Sequence, residues 1–264
     1  MLKTRRSTEK ASERFTNILI ARTFKPNRGT APIFKRIRRQ GVFCRKTTGV
    51  TMKIGLIGAT GGSGRHLVDL AMAAGHEVTA LARTPSKLAD VADRIQVVRA
   101  DGRDLDSLQD ALAARFDAVV SIVGASTLMQ ARKVTDLYSV TTDNLITACH
   151  ATETRRLIVV SSSGVEPQPN DNWFYVHILK RFFLGPMYED MLRMEERLEA
   201  SDLDYTIVRP PYLTKGAPTE KYRVSVGTNF DDDRSLRRGD LAHFLLRAVE
   251  EPEAFLRHRV ALSE

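Results

Sequence analysis

The sequence predicts a doubly wound α/β fold, a parallel sheet with helices on both faces, forming a single domain behind a basic N-terminal extension. Three observations carry this. From Met52 onward, short apolar runs alternate with segments of helical spacing. The runs are apolar at successive positions, as in strands covered on both faces, which is the pattern of parallel sheets with crossover helices. The first run leads directly into a glycine-rich turn that opens a helix.

The elements follow in order. Lys53–Ile57 is a short apolar strand, and Gly58–Gly64 is the glycine turn. Arg65–Ala74 has helical spacing (Leu67, Leu70, Ala71, Ala74), and Gly75 suits its C-terminal cap. Glu77–Ala82 is the second strand, and Thr84-Pro85-Ser86 can start a short helix. Ile95–Arg99 is a third strand, Asp101–Asp104 a loop, Leu105–Ala114 a helix and Ala118–Val123 a fourth strand. Lys133–Ala151 is a long helix, and Leu157–Val160 is a fifth strand ending in Ser161-Ser162-Ser163-Gly164. Tyr188–Ala200 is helical and Tyr205–Val208 is a sixth strand. Asp240–Glu250 is a helix, with Asp240 placed to cap it. No internal repeat or linker interrupts 52–264, so one domain is expected there.

The chain has 264 residues, enough to bury a core without disulfides or metals. Its two cysteines, Cys44 and Cys149, form no C-x-x-C, which excludes a disulfide scaffold and a cysteine zinc site and suits a reducing compartment. No H-E-x-x-H motif or other ligand cluster implies a metal, and no apolar run is long enough to span a membrane. G-x-S-x-G is absent, so an esterase is not indicated.

The net charge of +8 is unevenly placed. Of 40 basic and 32 acidic residues, 14 and 2 fall in residues 1–51, which leaves 26 and 30 in 52–264. The body is mildly acidic and the arm strongly basic. Three readings of the arm stand. Met52 is the true start and the arm carries no selected structure; or the arm is a transit peptide, Arg-rich and acid-poor although short of Ser; or it tethers the chain to nucleic acid or another acidic surface. Its aromatics, Phe15, Phe24, Phe34 and Phe43, do not form a stacking platform, and a disordered tail outweighs the tether. The expected location is cytoplasmic, or an organelle if the arm is a transit peptide. The expected state is a monomer or homodimer acting on a small molecule.

The turn Gly58-Ala59-Thr60-Gly61-Gly62-Ser63-Gly64 has the spacing G-x-x-G-x-x-G between a strand and a helix. Glycines there let backbone approach a pyrophosphate, and the helix N-terminus offers free N–H groups and a partial positive charge. The end of the second strand selects the cofactor. An acidic residue there would bind the ribose hydroxyls of NAD; here Arg83 stands, followed by Thr84, Ser86 and Lys87. Cationic donors suit a 2′-phosphate, so NADP(H) is expected over NAD unless Arg83 pairs with a carboxylate such as Asp101 or Asp104.

These motifs, with Ala82-Arg83-Thr84-Pro85-Ser86-Lys87-Leu88 and Asp117-Ala118-Val119-Val120, resemble the atypical short-chain dehydrogenase/reductases, in their NAD(P)H-binding, NmrA-like group. Tyr205-Thr206-Ile207-Val208-Arg209-Pro210-Pro211 and Asp240-Leu241-Ala242-His243-Phe244-Leu245-Leu246 resemble the same group, in its biliverdin reductase B or NADPH flavin reductase branch. The resemblance runs from Met52 to about Val260 and leaves out the arm. It implies a Rossmann domain with the dinucleotide along the strand C-termini. Gly58, Thr60, Gly61, Gly62, Ser63 and Gly64 then fall at the pyrophosphate, and Arg83 with Lys87 at the 2′-phosphate. Asp101 and Gly102 face the adenine, and Val123 and Gly124 pass under the ribose. Ser161 and Ser162 lie beside the nicotinamide, and Pro210, Pro211 and Tyr212 close over it. A histidine follows the paired prolines in the flavin reductase; Tyr212 replaces it here, which leaves the acceptor open.

Ordinary short-chain reductases move the substrate proton through a tyrosine in Y-x-x-x-K. No lysine stands four residues after any of the six tyrosines, and Lys180, five after Tyr175, is off by about 100° on a helix. Hydride transfer to a flat conjugated acceptor (a flavin, quinone or tetrapyrrole) needs no such pair, because the acceptor delocalises charge and solvent supplies the proton. Ser162 would then donate a hydrogen bond and Tyr212 would orient or protonate. Ser-Ser-Ser-Gly is also ordinary loop chemistry, and a Tyr after Pro-Pro often only packs. The alternative is a non-catalytic NADP(H)-binding sensor or scaffold for a protein partner, and the same missing pair argues against an epimerase. The aromatic and basic stretch Trp173–Phe183, with His177, suits packing, a substrate roof or a partner contact. His66 and His76 are expected at the surface, and Asp231-Asp232-Asp233 in a solvated loop.

Overall fold

The first apolar run forms an interior strand of the sheet, third from one edge. The structure is a computed structural model and describes residues 50–124, 136–166, 184–232 and 235–264. The strands are β1 (Lys53–Ile57), β2 (Glu77–Ala82), β3 (Gln96–Arg99), β4 (Ala118–Ser121), β5 (Arg156–Val160), β6 (Asp204–Arg209), β7 (Leu213–Thr214), β8 (Arg223–Val226), β9 (Leu236–Arg237) and β10 (His258–Ser263). The helices are α1 (Gly62–Ala73), α2 (Leu105–Leu112), α3 (Leu137–Ala151), α4 (Gly185–Glu199) and α5 (Arg238–Glu250). The main sheet has the order β3-β2-β1-β4-β5-β6-β10-β8, and β7 pairs with β9 separately. The strand order reverses between β1 and β4, and ligands of doubly wound sheets bind in the crevice at that point.

Each central strand supplies both cores. Ile54, Leu56, Ala118, Val120, Ile158 and Val160 pack on the side of α1 and α5, with Leu67, Val68, Ala71, Leu241 and Leu245. Val119, Leu157, Val159 and Ile207 pack on the side of α2, α3 and α4, with Leu108, Leu112, Leu145, Met191 and Leu198. This two-sided burial is why the runs are apolar at successive positions. Helix α1 returns from β1 to start β2, while α5 leads into β10, which is parallel to β6. Both helices therefore begin at the edge of the sheet where the parallel strands end, and they pack on each other.

Several sequence expectations are corrected. The sheet is not wholly parallel, because β8 pairs antiparallel to β10 at one edge. Neither strand was expected; β10 is visible only as the run Val260-Ala261-Leu262 close to the end of the chain. The fourth strand stops at Ser121, two residues early, although Ile122 N still donates to Ile57 O at 2.9 Å. Asp240 is not the cap of α5. Arg237 holds that position, and the fully buried Asp240 carboxylate lies inside the first turn, accepting from Thr219 N at 2.6 Å and Glu220 N at 2.7 Å. His76 is buried, accepting from Met52 N at 3.2 Å and lying 3.1 Å from Glu250. Residues 133–135 of the expected long helix, the stretch 173–183, Asp233 and the basic arm through residue 49 lie outside the described residues.

Polar groups inside the fold are used to fix helix ends. The position before α3, Asp136, makes no side-chain cap. Instead Asp190 of α4, fully buried, accepts from Tyr138 N at 2.7 Å, Ser139 N at 3.4 Å and Ser139 Oγ at 2.5 Å. A carboxylate at a helix N-terminus meets unpaired N–H groups and the positive pole together. Buried Arg156 works at the opposite pole: it donates to the Ala248 carbonyl near the end of α5, and to Asp204 O and Thr206 Oγ1, each at 2.8 Å. Burial lowers its pKa to about 10. Among the described residues no group of three His, Cys, Asp or Glu could hold a metal, and no helix is long and apolar enough to cross a membrane.

Asp190→Ala should lower stability by about 2–3 kcal/mol, since it strands buried donors of α3 that a charged group now satisfies. Asp190→Asn, which keeps one acceptor, should lose less. Urea denaturation measures both, and an unchanged midpoint for the alanine variant would refute the cap.

Candidate functional site

At the reversal point the β1–α1 turn closes tightly. Gly58 has φ +94°, and a Cβ on it would lie 2.4 Å from the Ile122 carbonyl oxygen. A Cβ on Gly64 would lie 2.2 Å from the Gly58 carbonyl oxygen. These two glycines are required by the protein's own backbone. Gly61 is different: a Cβ there meets only the Gly58 oxygen, at 3.3 Å. Thr60, Gly61 and Gly62 are exposed. Gly61 N donates to Gly58 O, but the N–H groups of Gly62, Ser63 and Gly64 have no acceptor among the described residues. The N-cap, Gly61, offers no side chain, and the first turn of α1 holds no carboxylate. Ser63 Oγ is buried without a partner. This N-terminus keeps its donors and its positive pole available to an anion.

At the end of β2, Arg83 is exposed and has no hydrogen bond or ion pair among the described residues. The carboxylates that could have neutralised it are turned to their own loop. Asp101 accepts from Arg103 N at 3.1 Å and Asp104 caps α2 through Ser107 N at 3.2 Å. Lys87 lies in the 3-10 turn Pro85–Leu88, also exposed. Arg65 of α1 holds this segment, donating to Lys87 O at 2.6 Å and Asp90 Oδ2 at 2.7 Å. That hydrogen bond keeps the Asp90 carboxyl below its ordinary pKa. Beyond β3, Gly102 fits under Thr141, whose Cγ2 would be 2.7 Å from an added Cβ, and its carbonyl accepts from Asn144 Nδ2 at 3.1 Å. The buried Thr141 Oγ1 has no partner.

The ends of β4, β5 and β6 complete the edge. Val123 is half-buried and Gly124 exposed, with Tyr138 Oη 4.0 Å from the Cβ position of Gly124. Ser161 N donates to Val208 O at 2.8 Å and Ser163 N to Pro210 O at 3.0 Å, so strand pairing carries the two serines alongside Pro210. Ser161 Oγ is buried without a partner. Ser162 Oγ accepts from Gly164 N at 3.2 Å and so caps its own turn, leaving its proton free to be donated. Tyr212 is 80% exposed, and its carbonyl accepts from Leu236 N at 2.9 Å. Beneath Pro210, buried Arg209 pairs through Nε with Glu195 Oε1 at 3.0 Å and through Nη1 with Glu166 Oε1 at 2.7 Å. Burial opposes its charge, but the two carboxylates outweigh that and raise its pKa.

The structure thus brings the glycine turn, the β2 end and the loop after β3 to one edge, together with the ends of β4, β5 and β6. Thr141 and the Arg209 pairs were not anticipated. Their positions depend on long-range packing that no local motif announces.

The sequence profile of the NAD(P)H-binding family matches residues 58–252, from the first glycine of the turn to just past the end of α5. The chain belongs to the NAD(P)H-binding family. Reductase pytE of Aspergillus terreus is 28% identical over 216 residues, covering 66% of this chain and 82% of that one. Among solved structures, the anaerobilin reductase ChuY of Escherichia coli O157:H7 superposes with a TM-score of 0.64 at 23% identity, over 80% of this chain and 97% of that one. The oxidoreductase ylbE of Lactococcus lactis superposes with a TM-score of 0.66 at 20% identity, over 81% and 91%. These two share the fold, and the family match bears out the NAD(P)H-binding group to which the resemblance points. A nicotinamide cofactor follows from the family. The free N–H groups, the unpartnered Ser63, Thr141 and Ser161 hydroxyls and the unpaired Arg83 fit such a group.

Gly61→Val should fold with near-native stability yet lose nicotinamide nucleotide binding by about 100-fold or more, because its side chain occupies space the protein itself leaves free. Gly64→Ala should instead be destabilised strongly. Binding titrations and thermal melts separate the two, and native affinity in Gly61→Val would remove the pyrophosphate from this turn.

Proposed function

We propose that the protein is an NADPH-dependent reductase that delivers hydride to a flat conjugated acceptor, a flavin, quinone or tetrapyrrole. The observation that carries the cofactor choice is Arg83, exposed at the end of β2 with no carboxylate partner among the described residues. Its guanidinium can take a 2′-phosphate bidentately, with Lys87 in the following turn as a second cation. The glycine turn then holds the pyrophosphate on the N–H groups of Gly62, Ser63 and Gly64. Asp101 and Gly102 border the adenine, Val123 and Gly124 the ribose. Ser161, Ser162 and Pro210 border the nicotinamide.

When bound, the reduced nicotinamide supplies hydride. The chain supplies position: Ser162, already fixed by accepting from Gly164 N, can donate its hydroxyl proton to the acceptor or the carboxamide. Tyr212 stands where solvent reaches it, which suits an acceptor that draws its proton from water. The absence of Y-x-x-x-K from the whole sequence supports an acceptor that needs no tyrosine acid. The relatives named as reductases support the reaction class. One of them is named for a bilin, which belongs to the acceptor class proposed here.

A second reading, an NADP(H)-binding sensor or scaffold without turnover, draws on the same Tyr212. An aromatic ring 80% exposed beside the cofactor end could meet a protein partner as readily as a substrate.

Two measurements test these readings. Arg83→Glu should weaken NADPH by about tenfold or more and NADH by about twofold or less, and an equal loss for both would remove the 2′-phosphate from Arg83. The protein should oxidise NADPH with at least one flavin, quinone or tetrapyrrole, followed by loss of reduced-nicotinamide absorbance. Ser162→Ala should slow that turnover by about tenfold. Binding of NADPH with no turnover across the panel would favour the sensor.

A further inference from the structure

Arg238 opens α5 beside the turn that opens α1. Its Cδ lies 2.8 Å from the position of a Cβ on Gly62, and its Nη1 and Nε lie 3.4 and 3.6 Å from it. The guanidinium therefore rests against the first residue of α1, in space that any side chain at position 62 would contest. It is half-buried and makes no hydrogen bond or ion pair among the described residues.

This is an unfavourable place for an unpaired cation. Arg238 is at the N-terminus of its own helix and lies on the N-terminus of another, and both positive poles oppose its charge. Asp240, the acidic residue of the same turn, is occupied by Thr219 N, Glu220 N and Thr219 Oγ1. The buried Arg209, by contrast, has two carboxylates. A second observation sits in the same turn of α1: Ser63 Oγ, in a residue 3% exposed, has no partner, next to the free N–H groups of Gly62, Ser63 and Gly64. A diester anion between the two helix starts would satisfy the guanidinium, the hydroxyl and the N–H groups together.

We propose that Arg238, from the last helix of the domain, binds the pyrophosphate of the dinucleotide held at the glycine turn. The proposal rests on the cofactor reading of that turn. It makes the pyrophosphate site a product of both ends of the domain, with backbone donors from the first crossover and a fork of side-chain donors from the last.

The test titrates the full chain and its Arg238→Ala and Arg238→Gln variants with NADPH, NADH and ADP-ribose. Thermal melts are run with and without nucleotide. Both variants should bind all three ligands about 10- to 100-fold more weakly, in equal proportion, since all three carry the pyrophosphate. Without nucleotide their melting temperature should be unchanged or raised, because a cation leaves two positive poles; a residue that merely supports the fold would lower it. Native affinity for all three ligands would overturn the assignment. So would a loss confined to NADPH, which would move Arg238 to the 2′-phosphate. If the wild-type chain bound none of the three, the cofactor reading itself would fail, and the Arg238 assignment with it.

Discussion

The approach of backbone to backbone at the β1–α1 turn is the constraint on which the rest of the site depends. The Gly58 carbonyl oxygen lies 2.2 Å from where a Cβ on Gly64 would be, and the Ile122 oxygen lies 2.4 Å from the Cβ position of Gly58. With side chains at either position, α1 could not start so close to the ends of β1 and β4. That closeness leaves the N–H groups of Gly62, Ser63 and Gly64 at the crevice where the strand order reverses. One turn therefore does two jobs with different glycines. Gly58 and Gly64 let the protein pack on itself, while Gly61 and Gly62 leave room for what comes from outside the turn.

The second half of the domain closes the edge from the other side. Strand β10 extends the parallel sheet beyond β6, and α5, which leads into it, lies against α1. The start of α5 is held by the inward Asp240, whose carboxylate ties down residues 219 and 220. Its far end is held by Arg156 on the Ala248 carbonyl and by His76 near Glu250. Asp240 and Arg156 each sit at the helix pole that suits their charge. An error in α5 would thus shift Arg238 relative to the glycine turn, and the last crossover is as much part of the crevice as the first.

Much of this was legible in the sequence, for a physical reason. Two-faced burial writes itself as unbroken apolar runs, and a strand-to-helix turn that needs positive φ and close backbone contact writes itself as glycine. So β1 to β6, the five helices and the turn at Gly58–Gly64 were all anticipated, within a few residues. The edge strands were not. The alternating Arg223–Val226 is only half-covered, and β10 leaves three apolar residues in a row. Asp240 and His76 were misjudged because their partners, Thr219, Glu220, Met52 and Glu250, are 20 to 174 residues away. Local preference places Asp at a cap and His at a surface; tertiary contact overrode both. Ser162 shows the reverse. Its local bond to Gly164 is what loop chemistry predicts, and the unpartnered hydroxyl belongs to its neighbour Ser161.

That contrast extends to the whole domain. A buried hydroxyl without a partner is costly, about 1–3 kcal/mol, and folds seldom keep one without reason. Among the described residues three buried hydroxyls have none: Ser63 in the glycine turn, Thr141 against the loop after β3, and Ser161 at the end of β5. The other buried side-chain atoms in that condition are Nε of Arg156 and Arg259, each on a guanidinium engaged through ion pairs or its other nitrogens. Buried charged groups elsewhere in the fold are satisfied with care, as Asp190, Asp240 and Arg209 show. Around the crevice, hydroxyls, helix N–H groups, Arg83 and Arg238 are left without partners together. A fold that neutralises a buried arginine with two glutamates could have supplied carboxylates here as well. Leaving both cations bare at the edge where two helix N-termini meet makes sense if the missing counter-charge arrives with the cofactor.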